Sequence, residues 1–182
     1  MTERNWKGAA AQVWKGPVGC ILYMAAWGLA SFPLGRMFKR MALNWDRPPF
    51  AELPWEQSGK VYEKLGIRRW KDLAPDVSRM FPGSIPKKQF EARPDSAYMR
   101  DMLSETCVAE LTHLLLCLTG LALIPLWPGP WGILLYIIYA MLGNVPFIMI
   151  QRYNRPRFRR MLTATEAWER RQMNARTDTV KR

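Results

Sequence analysis

The feature that most constrains this chain is a long uncharged stretch in its C-terminal half. Between Glu110 and Arg152 the sequence carries no Asp, Glu, Lys or Arg, and Pro-Gly-Pro interrupts it once, at residues 128–130. A bilayer core of roughly 30 Å needs about 20 helical residues, and residues 111–127 and 131–150 supply two such arms. The stretch therefore predicts a transmembrane helical hairpin whose polar ends meet at one membrane interface.

A second uncharged stretch, residues 16–35, predicts a further membrane segment. No compact small-x-small cleavage site follows it, which favours an uncleaved anchor over a secretory signal peptide. Its Gly and Pro residues leave open a kinked or partly re-entrant segment. We therefore expect an all-α integral membrane protein in four parts: an N-terminal membrane segment (1–35), a cytoplasmic or interfacial region (36–104), the hairpin with its polar flanks (105–157) and a basic amphipathic tail (158–182).

The positive charge of the chain lies outside the hairpin. The net charge is +12 and the pI about 10.1, and most Lys and Arg residues fall in residues 36–110 and 152–182. The hairpin puts these two regions on one side, which the positive-inside rule assigns to the cytoplasm. We therefore predict a multi-pass protein of the inner (cytoplasmic) membrane whose basic flanks face anionic lipid headgroups, with no nucleic-acid partner.

Outside the membrane segments the sequence predicts short helices and loops. The prolines of residues 48–54 exclude a regular helix there, residues 56–70 have the spacing of a short surface helix, and residues 80–88 that of a loop. A helix capped by Asp95 or the following Ser is expected to run into the first arm of the hairpin. Pro156 is expected to open the tail, as a membrane-surface or a solvated helix.

The sequence contains three cysteines and one histidine. Two of the cysteines fall in or at the edge of apolar segments, so they are interpreted as small buried hydrophobic residues and not as a disulfide framework. Cys107, His113 and Cys117 offer at most three ligands where zinc needs about four. We therefore predict no metal and no bound cofactor.

His113 is the leading catalytic candidate, because it is an ionisable side chain just inside an apolar run. Glu110 precedes it by three residues and Glu105 by about two helical turns, so either carboxylate is a candidate to orient the ring. A histidine oriented in this way is a general base able to take a proton from a hydroxyl group. The alternative is an interfacial histidine that bonds the backbone or a lipid headgroup and serves packing.

The second arm of the hairpin ends in a polar cluster. Arginine side chains suit phosphate or carboxylate oxygens, although a run of Arg at a helix end is also a topology signal. Asn144 places a costly polar side chain inside the second arm, and Pro146 frees a backbone carbonyl oxygen there. Both features favour a binding site. The candidate substrate-binding residues at this end are Asn144, Gln151, Arg152, Asn154, Arg155 and Arg157.

Three blocks of the sequence stand in a specific order and spacing. They are Tyr62-Glu63-Lys64 with Ile67-Arg68-Arg69-Trp70-Lys71-Asp72 and Pro75; Glu105-Thr106-Cys107 with Ala109-Glu110-Leu111 and His113; and Asn144-Val145-Pro146 with Gln151-Arg152-Tyr153-Asn154-Arg155-Pro156-Arg157. Together they cover residues 60–157. In these blocks the chain resembles the glycosyl-4,4'-diaponeurosporenoate acyltransferases, small bacterial membrane proteins that complete glycosylated carotenoids.

The resemblance implies transfer of a fatty acyl group to a sugar hydroxyl of a lipid-linked glycoside. His113, oriented by Glu110 or Glu105, would deprotonate the hydroxyl for attack on a thioester carbonyl. The co-substrate would be acyl-CoA or an acyl carrier protein, held by the arginine cluster. Trp70, Lys71 and Asp72 join the predicted binding residues, with Trp70 stacking on the sugar or on a base.

Two other functions stay open at this point. One is a non-catalytic membrane scaffold subunit of a lipid-biosynthesis complex, and the other is a transferase acting on another lipid, such as a phospholipid or an isoprenoid phosphate. The predicted partners are membrane lipids, the glycoside acceptor and the acyl thioester donor. Three thin spans barely enclose a pocket, which is compatible with a homodimer or a complex of pathway enzymes.

Overall fold

The computed structural model describes residues 15–39, 41, 43–73 and 94–180, and these residues form helices with no β-strand among them. They group into two compact units. The first unit contains the described residues up to Met41 together with Val108–Ile148, and the second contains the described residues of Ala42–Cys107 and Met149–Arg182. The prediction of an all-α protein is confirmed, and the four-part division of the chain stays a prediction.

Seven α-helices are present in the described part of the chain. The long helices are α1 (Pro17–Lys39), α4 (Ser96–Gly120), α6 (Pro130–Gly143) and α7 (Val145–Val180); the short ones are α2 (Lys60–Lys64), α3 (Ile67–Trp70) and α5 (Leu123–Leu126). Short 3-10 helices lie at Pro54–Gly59 and Lys71–Leu73. Helices α4 and α7 contribute residues to both units.

In the first unit, α4 and α6 are the two arms of the predicted hairpin. The turn between them includes Gly129, whose φ of 104° lies in the left-handed region. Two further glycines let the arms approach each other. A Cβ on Gly132 would lie 2.1 Å from a backbone carbonyl oxygen, and one on Gly120 would lie 2.8 Å from the Tyr139 ring. The close packing of the arms therefore depends on these two positions.

Helix α1 packs beside the hairpin. The Gly16 N–H donates to the carbonyl oxygen of Leu126 at 2.8 Å, and the Tyr23 hydroxyl donates to the carbonyl oxygen of Thr119 at 2.7 Å. Pro33 lies inside α1, which runs over 23 residues. This first membrane segment is therefore one continuous helix.

Three helical segments are long and apolar enough to cross a membrane: Pro17–Lys39, Ser96–Leu126 and Pro130–Asp178. In the first unit many large apolar side chains face outward, where lipid would cover them. These exposed side chains include Ile21, Leu22, Leu29, Leu118, Ile133, Leu134, Ile137 and Ile138. The protein is therefore a membrane protein with three candidate spans, as predicted.

Two hydrophobic clusters hold the second unit together. Met99 and Leu103 of α4 pack against α7, while α2 and α3 pack against Tyr153 of the same helix. An ion pair between Arg100 and Glu166, at 2.6 Å, also joins α4 to α7. The N-terminal half of α4 and the long helix α7 are thus the frame on which the short helices rest.

Two local predictions were wrong. The single helix expected at residues 56–70 is broken into short helices, because Gln57, Ser58 and Gly66 have positive φ. Pro156, expected to start a new segment, lies inside α7. Proline removes one backbone hydrogen bond from a helix, but Pro156 is buried in the second unit, where packing continues on both sides of it.

The predicted start of α4 is confirmed. Asp95 acts as the cap, since its Oδ1 accepts the Tyr98 N–H at 2.7 Å. The helix then continues without a break into the first arm of the hairpin. Pro75 and the loop predicted at residues 80–88 lie outside the described residues.

Candidate active site

His113 pairs with Asn144 across the two arms of the hairpin. Its Nδ1 lies 3.0 Å from Asn144 Oδ1. The imidazole ring also stacks on Phe147, with ring centroids 4.7 Å apart and an angle of 8° between the planes. All three residues belong to the first unit, so the second arm returns alongside the first at the depth of His113.

Asn144 owes its position to a break in the second arm, because α6 ends directly before it and α7 begins directly after it. Its N–H donates to the carbonyl oxygen of Ala140 at 3.2 Å, and its own carbonyl oxygen accepts the Phe147 N–H at 3.1 Å. The side chain is only 1% exposed and donates through Nδ2 to the carbonyl oxygen of Tyr139 at 3.0 Å. Both ends of this buried amide are therefore bonded, which limits the cost of its burial.

The other ring nitrogen of His113, Nε2, has no hydrogen-bond partner among the described residues. In this part of the chain no buried side-chain nitrogen or oxygen lacks a partner. Nε2 is therefore not completely enclosed by the described residues. A hydroxyl group that reaches this nitrogen can hydrogen-bond to it.

The carboxylates expected to orient His113 are placed differently from the prediction. Glu110 is buried in the first unit, and Glu105 is half-buried and belongs to the second. Because Asn144 occupies Nδ1, the expectation of a carboxylate at that nitrogen was wrong. An amide oxygen supplies an acceptor without placing a second charge in an apolar span. That Glu110 and Glu105 take part in catalysis stays a prediction.

In the second unit, Arg152 is held by Glu56, a residue that no sequence motif marked. Arg152 Nη1 lies 3.3 Å from both carboxylate oxygens of Glu56, and Nη2 donates to the carbonyl oxygen of Pro49 at 2.9 Å. Glu56 is 2% exposed and also accepts the Tyr62 hydroxyl and the Leu53 N–H. The buried Glu56 carboxylate thus links Arg152, at the polar end of the second arm, to Leu53 and Tyr62.

A strained turn brings Glu56 to this place. Gln57 and Ser58 have φ of 50° and 56°, and Gly59 follows with φ of 89°. Left-handed backbone is costly for the two residues that carry a Cβ. A Cβ on Gly59 would lie 3.2 Å from the Tyr153 ring, so the glycine also allows the turn to approach α7. Periodicity does not encode such a turn, which explains why the sequence did not reveal Glu56.

Arg155 is 4% exposed, and all three of its guanidinium nitrogens are bonded within the second unit. Nε and Nη2 donate to the hydroxyl and carbonyl oxygens of Thr106 at 3.0 and 3.2 Å, and Nη1 donates to the carbonyl oxygen of Phe50 at 2.6 Å. Arg152 and Arg155 therefore have intramolecular partners. Their predicted contact with substrate stays a prediction.

The residues of the first sequence block lie at the end of α3. Trp70 packs on the cluster around Tyr153, and its Nε1 donates to the carbonyl oxygen of Leu65 at 3.1 Å. Lys71 and Asp72 form an ion pair at 3.4 Å. Trp70 and Lys71 are half-buried and Asp72 is exposed. Their predicted contact with substrate stays a prediction.

A set of charged and aromatic side chains surrounds Tyr153 of α7. The Arg157 guanidinium lies 4.6 Å from the Tyr153 ring centroid. The Tyr153 hydroxyl donates to Glu63 at 3.3 Å, and Arg68 donates to the same carboxylate at 2.6 Å. The Arg68 hydrogen bond is the main reason that the pKa of Glu63 lies below its ordinary value of 4.5. The two remaining predicted binding residues of this helix, Gln151 and Asn154, are half-buried.

A cavity of about 530 Å³ opens beside α7 in the second unit. Its polar lining residues are Arg159, Arg160, Ser58, Thr163 and Glu52. Its volume lies within the roughly 300–1,000 Å³ of ordinary ligand sites. The two arginines give part of its wall a positive charge.

The predicted site residues are therefore divided between the two units. Glu110, His113 and Asn144 lie in the first unit; Trp70, Lys71, Asp72, Glu105, Gln151, Arg152, Asn154, Arg155 and Arg157 lie in the second. Within the first unit His113 and Asn144 meet directly. The convergence of His113 with the arginines on one reaction centre stays a prediction.

Comparison with known proteins identifies the family. Residues 46–164 match the family model described as glycosyl-4,4'-diaponeurosporenoate acyltransferase. The chain belongs to this family. Curated proteins of that name from Staphylococcus aureus are similar to it: the one from strain bovine RF122 is 33% identical over 115 residues, and those from strains USA300 and NCTC 8325 are 32% identical over 115 residues. Each alignment covers 62% of this chain and 67% of the relative. No solved structure matches the chain.

The resemblance predicted from the three sequence blocks is confirmed, and the chain is a member of an acyltransferase family. The region matched to the glycosyl-4,4'-diaponeurosporenoate acyltransferases contains every predicted site residue, from Trp70 to Arg157. It also contains Glu56, which only the structure revealed. Helix α1 and the part of α7 beyond residue 164 lie outside the match.

Proposed function

We propose that this protein is a membrane acyltransferase that esterifies a sugar hydroxyl of a lipid-linked glycoside with a fatty acyl group. The name of the family and of the relatives supports an acceptor of the carotenoid-glycoside type. The observation that carries the proposal is the His113–Asn144 pair. It presents a histidine with an open Nε2 in a unit built from membrane-spanning helices.

The chemistry needs a base beside the acceptor, because a sugar hydroxyl is a weak nucleophile while it keeps its proton. In the proposed reaction the hydroxyl oxygen attacks the thioester carbonyl carbon as His113 Nε2 takes the proton. The new C–O bond forms and the C–S bond then breaks. The imidazolium returns the proton to the sulfur, so the products are an ester and a free thiol.

Glu110 is proposed to support this proton transfer. It lies one turn before His113 on α4, so its carboxylate is near enough for its charge to favour the imidazolium that forms during the reaction. Glu105, about two turns before His113, is proposed to contribute a weaker effect from a longer distance. Replacement of either residue by glutamine is expected to lower the rate less than loss of His113.

The donor is proposed to be acyl-CoA or an acyl carrier protein that reaches the protein from the cytoplasmic side of the inner membrane. Both donors carry phosphate, which arginine forks bind well. Arg152 and Arg155 are mostly buried in their internal bonds, whereas Arg159 and Lys71 form more accessible ion pairs with Asp46 and Asp72. Arg159, Lys71 and Arg160 are therefore the candidates for this contact. The basic composition of the flanks supports the cytoplasmic orientation.

The acceptor sugar is proposed to contact the half-buried side chains of the second unit. Trp70 offers an aromatic face for stacking. Asp72, Gln151 and Asn154 offer hydrogen bonds to hydroxyl groups, and Arg157 adds a charged donor. The apolar part of the acceptor can stay in the bilayer while its sugar lies at the interface.

Lipid profiling of cells that make a glycosylated carotenoid acid tests the proposal. Cells with the protein should contain the acylated glycoside, and cells without it should accumulate the free glycoside. His113→Gln at matched membrane expression should lower acylated product by about 10²-fold or more. The matched control is Thr119→Val, since that hydroxyl bonds only to its own helix, at 3.0 Å from the Leu115 carbonyl oxygen.

Three results would contradict the proposal. A normal rate of acylation by the His113→Gln protein would exclude His113 as the base. A lipid profile that the protein leaves unchanged would favour the scaffold subunit. Accumulation of a different lipid in cells without the protein would identify a transferase with another acceptor.

A further inference from the structure

We propose that Asn144 is a positioning residue that fixes His113 in the tautomer with the proton on Nδ1 and so leaves the lone pair on Nε2. The inference deepens the proposed function, because a general base must present a lone pair to the hydroxyl. It rests on the two hydrogen-bond partners of the Asn144 amide: the backbone carbonyl oxygen of Tyr139 and the His113 ring.

The first step is the orientation of the Asn144 amide. Its Nδ2 lies 3.0 Å from the carbonyl oxygen of Tyr139. A backbone carbonyl oxygen can only accept a hydrogen bond, so the group that faces it must be the NH₂ of the amide. The reversed amide would set two oxygens against each other. The side-chain oxygen of Asn144 is therefore the atom that faces His113.

The second step is the proton on the ring. Asn144 Oδ1 lies 3.0 Å from His113 Nδ1, and an amide oxygen can only accept. Nδ1 must therefore carry the hydrogen. A neutral imidazole has one N–H, so Nε2 then has the lone pair. The tautomer is thus set by two successive hydrogen bonds, from His113 Nδ1–H to Asn144 Oδ1 and from Asn144 Nδ2–H to the Tyr139 carbonyl oxygen.

The third step is the rigidity of this chain of bonds. Asn144 is 1% exposed, and its carbonyl oxygen accepts the N–H groups of Phe147 and Ile148 at 3.1 and 3.2 Å. Phe147, within one turn of Asn144, stacks on the imidazole and prevents it from turning. Rotation of the amide would break its hydrogen bonds at a side chain that is almost fully buried, where unpaired polar groups are costly. The arrangement therefore holds one tautomer and not a mixture.

The tautomer can be observed directly, because His113 is the only histidine of the chain. The full-length protein is labelled with ¹⁵N-histidine, purified through a tag without histidine and placed in lipid nanodiscs. Nitrogen-15 NMR spectra are recorded at about pH 8.5, roughly two units above the reference histidine pKa of about 6.5. We expect one protonated nitrogen, assigned to Nδ1, and one unprotonated nitrogen, assigned to Nε2. Protonation of Nε2, alone or together with Nδ1, would overturn the inference.

Asn144→Leu tests the cause of the tautomer, since leucine keeps the approximate shape and removes both hydrogen-bonding atoms. We expect the spectrum to move toward the Nε2–H form, which free histidine side chains favour in water, and the acylation rate to fall about 10²-fold or more. In the Thr119→Val control both the spectrum and the rate should stay close to wild type. An unchanged Nδ1–H spectrum in a folded Asn144→Leu protein would show that another group sets the tautomer.

The spectrum separates this inference from the proposed function. A wild-type protein with the Nδ1–H form but no acylation of any glycoside would leave the inference in place and remove the function. A wild-type protein that acylates the glycoside through His113 but holds the Nε2–H form would keep the function and overturn the inference.

Discussion

The two units of this protein handle buried polar groups in opposite ways. In the first unit, Glu110 and Asn144 are the polar residues buried among the described residues, and Asn144 serves a single histidine. In the second unit, Glu56 and Arg155 are buried with bonds to several backbone and side-chain groups. Arginine clusters at the end of a span are usually interpreted as binding sites or topology signals. Here Arg152 and Arg155 form hydrogen bonds and an ion pair within the second unit.

The difference follows from the surroundings of each unit. The outer surface of the first unit is apolar, so every polar group inside it is costly and must have a partner or a purpose. The second unit contains turns and a connector whose free carbonyl oxygens need donors, and arginine supplies up to five N–H groups. Buried polar residues are thus few in the first unit, and in the second they are more numerous and bonded to turns and the connector. Three substitutions or conditions sharpen or break this comparison.

The largest effect on stability is expected from Glu56→Ala. The substitution removes the carboxylate that Arg152, Tyr62 and the Leu53 N–H share and leaves a charge in a mostly buried place. Breaking a buried pair on one side costs about 3–5 kcal/mol. Thermal unfolding in detergent micelles measures the loss. The matched control is Glu63→Ala, whose ion pair with Arg68 is largely exposed and should contribute much less to stability. Equal losses in the two variants would contradict a structural role special to Glu56.

A smaller loss is expected from Gly132→Ala in the first unit. The added Cβ would lie 2.1 Å from the carbonyl oxygen of Trp127, and backbone cannot move away as a flexible side chain can. Overpacking of this kind costs about 1–3 kcal/mol. Gly28→Ala is the control, because nothing lies within 4 Å of its new Cβ; it should stabilise α1 by about 0.5–1 kcal/mol. If Gly132→Ala were neutral in the same unfolding assay, the hairpin would not depend on close contact of its arms at this glycine.

The comparison also explains which parts of the molecule the sequence could predict. Membrane segments and the cap at Asp95 follow from composition and local pattern, and they were predicted correctly. Asn144 was marked as a costly polar group at membrane depth. Its pairing with His113, 31 residues earlier in the chain, depends on the register between the two arms. Glu56 depends on a left-handed turn that no periodic pattern encodes. Long-range register and irregular turns are tertiary properties. They determine the His113–Asn144 pair and the Glu56–Arg152 contact.

The smallest effect concerns the exposed ion pair between Glu63 and Arg68, and it depends on pH. The Arg68 hydrogen bond lowers the pKa of Glu63 in the folded protein below its ordinary value of 4.5. The contribution to stability is therefore fully present above that value and disappears as the pH falls through the lowered pKa. The difference in melting temperature between wild type and Glu63→Gln should be small at neutral pH and vanish in acid. About 1 M salt should also reduce it, since exposed charges are screened. A difference that persisted in acid would mean that the charge of the Glu63 carboxylate does not carry the interaction.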